Sequence, residues 1–152
     1  MNPCRFPVLF CCVALVGCEQ ARETDFPIVR DGVYAPGQVW SLKAPDEQSR
    51  ANLTVLRLDS VPGLGTVVHV RLDSLDMSET GHVLNGQHSV QHMPFVRAAI
   101  DSSVVSKLVD SGSIPEYADG YAQWRRAKGG AFSVAVGSFL RQLAETNKAQ
   151  GK

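Results

Sequence analysis

All four cysteines of the chain, Cys4, Cys11, Cys12 and Cys18, lie within its first eighteen residues, and none follows. A domain built after Cys18 therefore has no internal disulfide, no thiol nucleophile and no cysteine-held metal, and apolar burial and hydrogen bonding have to hold it together. The same stretch has an order of its own. Met1 to Arg5 carries one positive charge, and Phe6 to Val16 is an apolar run of eleven residues. Crossing a bilayer takes about 20 apolar residues, so the run is too short to span one, but its length suits the core of a secretory signal.

The run ends in Leu15-Val16-Gly17-Cys18, which resembles the lipobox of bacterial lipoproteins. The resemblance implies that residues 1–17 are a signal peptide and that Cys18 is acylated as the new N-terminus. Several acyl chains on one residue would anchor it durably, since each buried methylene adds about 0.8 kcal/mol. Glu19 follows the cysteine; by analogy with lipoproteins of diderm bacteria, a residue other than Asp there implies the periplasmic face of the outer membrane. Residues 18–36 are polar with few apolar anchors and read as a flexible tether that reaches about 60 Å when extended. A single globular domain is expected over 37–148.

Charge excludes one class of partner. The 152 residues carry 15 basic and 15 acidic side chains, and loss of Arg5 with the leader leaves 14 against 15. A nucleic-acid-binding surface calls for a basic surplus, which is absent.

Alternation sets the fold class. In Thr66 to Leu72, Val68, Val70 and Leu72 alternate with Val67, His69 and Arg71, the period of a strand. Gly37 to Leu42, with Trp40 and Leu42 on one side, and Asn52 to Asp59 read as two further strands. Val61-Pro62-Gly63-Leu64-Gly65 reads as the turn before the third. Asn85-Gly86 marks a candidate hairpin turn. Pro94 is taken as the change to helix, and Ile100, Val104 and Leu108 form a helical stripe over Phe95 to Val109, which Ser102-Ser103 can divide by capping a second helix. Ser113-Ile114-Pro115-Glu116 reads as a capping box opening a helix that ends at Gly129-Gly130. Ala131 to Val134 is a short return strand, and Val136, Phe139, Leu140 and Leu143 mark a final amphipathic helix. The expected fold is α+β: an antiparallel sheet of three to five strands covered on one face by three or four helices.

A second resemblance covers most of this region. Gly37-Gln38-Val39-Trp40, Val68-His69-Val70, His92-Met93-Pro94-Phe95, Ser103-Val104, Gly120-Tyr121 with Trp124, and Gly130 with Phe132 resemble the landmarks of a family of small uncharacterised bacterial proteins. It implies a shared fold and carries no site residue with it.

Candidate chemistry is sparse. His82, His88 and His92 are close in sequence and His69 can approach from a neighbouring strand, but in a regular hairpin His88 and His92 lie about 13 Å apart, too far to share a metal. They read as polar strand or loop residues, with no metal or cofactor expected. Asp73, Asp76 and Glu79 form a loose acidic cluster whose spacing imposes no paired-carboxylate geometry. Tyr117, Tyr121 and Trp124 share one helical face; packing against the sheet near Trp40 and Phe132 is the favoured reading, and stacking on a glycan or partner peptide the other. Arg125, Arg126 and Lys128 complement the helix dipole or form an anion patch. No hydrolase elbow, phosphate loop or zincin helix is present, so no catalytic residue is assigned. The resulting expectation is a lipid-anchored envelope protein that binds another protein, as an inhibitor, immunity factor or assembly subunit. Its candidate contact residues are His92, Tyr117, Tyr121, Trp124, Arg125 and Arg126. A small hydrolase or a peptidoglycan-binding module is the alternative.

Overall fold

The computed structural model describes residues 26–43, 50–75 and 89–150. Five strands, β1 (Val39–Leu42), β2 (Asn52–Val61), β3 (Gly65–Asp73), β4 (Val90–Val96) and β5 (Val104–Val109), form one antiparallel sheet in the order β4-β3-β2-β1-β5. With α1 (Arg97–Ser103), α2 (Ala118–Arg126) and α3 (Val136–Gln150) the fold is α+β. The β2–β3 hairpin turns where the sequence places it, with Gly63 and Gly65 at φ 80° and 75°, a region open to glycine at little cost.

Strand alternation divides the core. Leu53, Val55 and Leu58 of β2, Val68, Val70 and Leu72 of β3, and Met93 and Phe95 of β4 bury with Ala99 and Ile100 of α1 and Val136 and Leu140 of α3. On the other face, Val61 and Val67 bury with Phe26 and with Trp124 of α2. Thus α1 and α3 share one face as expected, while α2 covers the opposite one. The seven-residue α1 joins strands at opposite edges of the sheet. It rises about 10 Å, whereas four strand intervals of a flat sheet measure about 19 Å, so the sheet has to curl around α1.

Several local expectations are corrected by tertiary partners. Pro94 lies inside β4, because its missing N–H faces the outer edge. There the Pro94 carbonyl accepts from Phe132 N at 2.9 Å, and Val96 N donates to the Phe132 carbonyl at 3.0 Å. That bridge at Phe132 is all that forms of the return strand over 131–134. The helix expected over Phe95 to Val109 is confined to α1; Val104 to Val109 pair with β1 as β5, an outcome that suits their β-branched content. Ser103 caps α3 instead of a second helix half: its buried hydroxyl accepts from Val136 N at 2.8 Å and donates to the Ala99 carbonyl at 2.5 Å. Glu116, not Ser113, serves the start of α2, accepting from Ala118 N and Tyr117 N at 2.8 and 3.0 Å.

Residues 26–36, assigned to the tether on polarity, pack onto the domain. Phe26 and Tyr34 are buried, and Val29 N donates to the Leu58 carbonyl at 3.0 Å while Ser60 N donates to the Pro27 carbonyl at 2.8 Å. This strap thus pairs with the half of β2 that the short β1 leaves open. Arg97 Nε fastens it to Asp31 at 2.6 Å, and this guanidinium holds the Asp31 carboxyl down at about 2. The Asn85-Gly86 turn lies outside the described residues.

Candidate functional site

Two strand irregularities aim one set of polar side chains at the α2 face. In β2, Val55 pairs with Val70 and Arg57 with His69, so Leu56 is an extra residue. Because side chains alternate with period two, Arg57, Asp59 and Val61 would otherwise share the face of Leu53 and Val55; the bulge moves them to the face of Val67 and His69. In β4 the step from Val90 to Met93 opposes the shorter step from Leu72 to Val70, and His92, within that irregularity, comes beside His69.

The result is a chain of groups running outward from the interior. Asp59 and His69 are both fully buried. Asp59 accepts from Arg57 Nε at 2.8 Å and from the Tyr121 hydroxyl at 2.7 Å. His69 Nε2 is 3.2 Å from Asp59 Oδ2, close enough for ion pairing but out of line for a hydrogen bond. His69 Nδ1 and His92 Nε2 are 2.9 Å apart. The anionic Asp59 orients a proton onto the facing Nε2 of His69, which leaves His69 Nδ1 as acceptor, His92 Nε2 as donor and His92 Nδ1 as the next site for a proton.

Helix α2 closes over this chain. Trp124 meets His69 edge-to-face at 4.4 Å between centroids, and Tyr121 does so at 5.2 Å. The ring of Tyr117 lies 6.5 Å from that of His92 and nearly parallel to it. Gly120 permits this approach, since a Cβ there would sit 2.7 Å from His92 Cβ. The Arg57 guanidinium caps the Tyr121 ring at 4.6 Å, and that of Arg125 lies 6.0 Å from it.

Burial pushes the His69 imidazole down despite the nearby Asp59 carboxylate, and burial, followed by the charge His69 can carry, pushes His92 down to about 4. For Asp59, burial acts to raise the carboxyl, but the facing His69 Nε2 and the hydrogen bonds from Tyr121 and Arg57 outweigh it and hold the group below its ordinary value. Burial and the Asp59 bond push the Tyr121 hydroxyl up. At neutral pH the cluster is therefore a carboxylate–guanidinium pair beside two neutral imidazoles.

The structure thus gathers His92, Tyr117, Tyr121 and Trp124 at one place, with Arg125 alongside and Arg126 exposed in the last turn of α2. The aromatic stripe does pack on the sheet, but not near Trp40 and Phe132, which lie on the opposite face with Tyr34 and with Phe95 and Phe139. Sequence reasoning missed Arg57 and Asp59. The adjacent apolar pair Val55-Leu56, which breaks the alternation of β2, is the visible trace of the bulge that exposes them to His69. Asp73 pairs with Arg71 at 2.7 Å. Cys18, Asp76, Glu79, His82 and His88 lie outside the described residues. Among the described residues no group of three or more His, Cys, Asp or Glu side chains is placed to hold a metal ion. Among the described residues, His92 makes its side-chain hydrogen bond to His69 and none to a serine or threonine.

A second candidate surface lies at the far edge of the sheet. Among the described residues, strand β5 pairs with β1 on one side and ends the sheet on the other. Val105, Leu108 and Val109 are 63%, 57% and 41% exposed, and Ile114 just beyond is also exposed. A sheet edge carries unpaired backbone donors and acceptors, and an apolar one is a template for another strand. No family model, curated protein or solved structure matches the chain.

Proposed function

We propose that this is a lipid-anchored envelope protein, held through Cys18 at the periplasmic face of the outer membrane, whose domain binds another protein and catalyses no reaction. The observation that carries the binding reading is the β5 edge, which no described strand covers and which bears exposed apolar side chains. An extended segment of a partner can add there as a sixth strand, with main-chain hydrogen bonds supplying affinity and Val105, Leu108 and Val109 supplying selectivity. An inhibitor or immunity-type factor, or a subunit of an envelope assembly, fits this mode. The test is affinity capture from detergent-solubilised envelopes with the lipidated protein and with a Val105→Lys/Leu108→Lys double variant. The reading expects a partner lost at least about tenfold in the variant, equivalent to about 1.4 kcal/mol, with unchanged circular dichroism. A partner retained by the variant, or none captured at any salt concentration, overturns it.

The Asp59–His69–His92 chain favours one second reading, a small hydrolase or glycan-binding module in which His92 acts as a base beside the Tyr117 ring. Incubation with purified peptidoglycan separates the two: turnover or co-sedimentation that is lost in Tyr117→Ala supports the glycan reading, and neither event removes it.

A further inference from the structure

The buried polar chain under α2 has no role in strand addition at β5, and its proton count is unusual. One N–H serves the 2.9 Å contact between His69 Nδ1 and His92 Nε2. A first proton taken up at His92 Nδ1 leaves that bond in place but makes a cation under α2. A second, at His69 Nδ1, sets two N–H groups against each other and breaks it. The groups facing the pair are Asp59 and Arg57 from β2 and Tyr117, Tyr121 and Trp124 from the α2 region. Among these, Asp59 is the one anion, and it is already paired with Arg57. The strap contributes Phe26, whose carbonyl accepts from Arg57 and whose ring packs on Trp124.

Helix α2 packs on the smaller of the two apolar clusters. Its face buries Phe26, Val61, Val67 and Trp124, a far smaller cluster than the one under α1 and α3. Its C-terminal exit runs through Lys128, Gly129 and Gly130, all at positive φ. A single helix held by contacts such as its aromatic rings, the Arg57 cation over Tyr121 and the Tyr121–Asp59 bond opens at lower cost than the whole domain.

We propose that the Asp59–His69–His92 chain is an acid-operated latch: while both imidazoles are neutral it holds α2 on the sheet, and protonation of the pair releases α2 while the opposite core stays folded. The sign follows from linkage. An opened α2 leaves His92 in water near its ordinary value of 6.5, whereas closed it titrates at about 4. The closed state is therefore fully favoured above 6.5 and loses ground as pH falls from 6.5 toward 4. For one such group the opening constant rises about tenfold by pH 5.5.

Hydrogen exchange on the full chain between pH 7.5 and 4.5, corrected for intrinsic exchange rates, tests this. The latch expects amides of Tyr121 to Arg126 to lose protection about tenfold by pH 5.5 while those of Val68 to Leu72 hold theirs, and expects His92→Gln to flatten most of the slope. Flat α2 protection, equal loss in α2 and β3, or an unchanged slope in His92→Gln overturns it. Should His92→Gln fail to fold, the histidine resonances of the wild-type chain decide: a titration out of step with the loss of α2 protection also overturns the latch.

Discussion

Gly120 shows how a single residue sets the geometry of the candidate site. In a helix, alanine is preferred over glycine by about 1 kcal/mol, so α2 considered alone favours the replacement. The structure opposes it, because the added Cβ would lie 2.7 Å from His92 Cβ, an atom fixed to the β4 backbone that cannot swing away. Overpacking of this kind costs about 1–3 kcal/mol. Gly120→Ala is accordingly expected to lower stability by about 1 kcal/mol net and to reduce the urea midpoint. A raised midpoint would mean that α2 does not rest on His92 in this way. His92 itself was singled out in the sequence as a polar strand residue. Asp59, on the far side of His69, was not, because nothing local distinguishes a buried carboxylate with two hydrogen-bond donors from a solvated one.

Among the elements, the decisive events are those where a residue chosen for a local role serves a distant one. Ser103 looked like a cap within its own segment, and it caps α3, thirty-three residues on. Removing its buried hydroxyl strands the Val136 N–H, at a cost of about 1–3 kcal/mol, so Ser103→Ala should lower the thermal midpoint by several degrees. Ser102→Ala is the control: its hydroxyl also bonds the Ala99 carbonyl, at 2.8 Å, but Ser102 is exposed. Equal effects in the two variants would remove the capping role. The strands were legible where alternation was strict, as in β3. They were not legible at β5, where Ile100, Val104 and Leu108 happen to keep helical spacing across a helix–strand junction. Pairing with β1 overrides that spacing, since strand preference depends on neighbours more than on the chain itself.

At the scale of the whole molecule, the proposed anchor and the proposed binding edge lie in different parts of the chain. The proposed lipid attachment rests on the sequence around Cys18. Cys18→Ala is expected to abolish incorporation of radiolabelled palmitate and to leave the domain fold unchanged by circular dichroism; labelling that persists in the variant would discard the anchor. The described residues of the domain, by contrast, present a covered polar cluster and, at β5, an edge with exposed apolar side chains, and which residues contribute to each is a property of the curled sheet as a whole.

The sequence by itself determined that the chain is α+β, that no cysteine follows Cys18, where the β2–β3 turn falls and where the last helix starts. These follow from periodicity and turn chemistry, which act over a few residues. Tertiary structure alone decided that α2 lies opposite α1 and α3, that residues 26–36 belong to the domain, and that Arg57, Asp59, His69 and His92 meet. A one-residue bulge inverts every side chain beyond it, and short-range pattern says little about whether an extra residue will be accommodated, because that depends on the strand alongside.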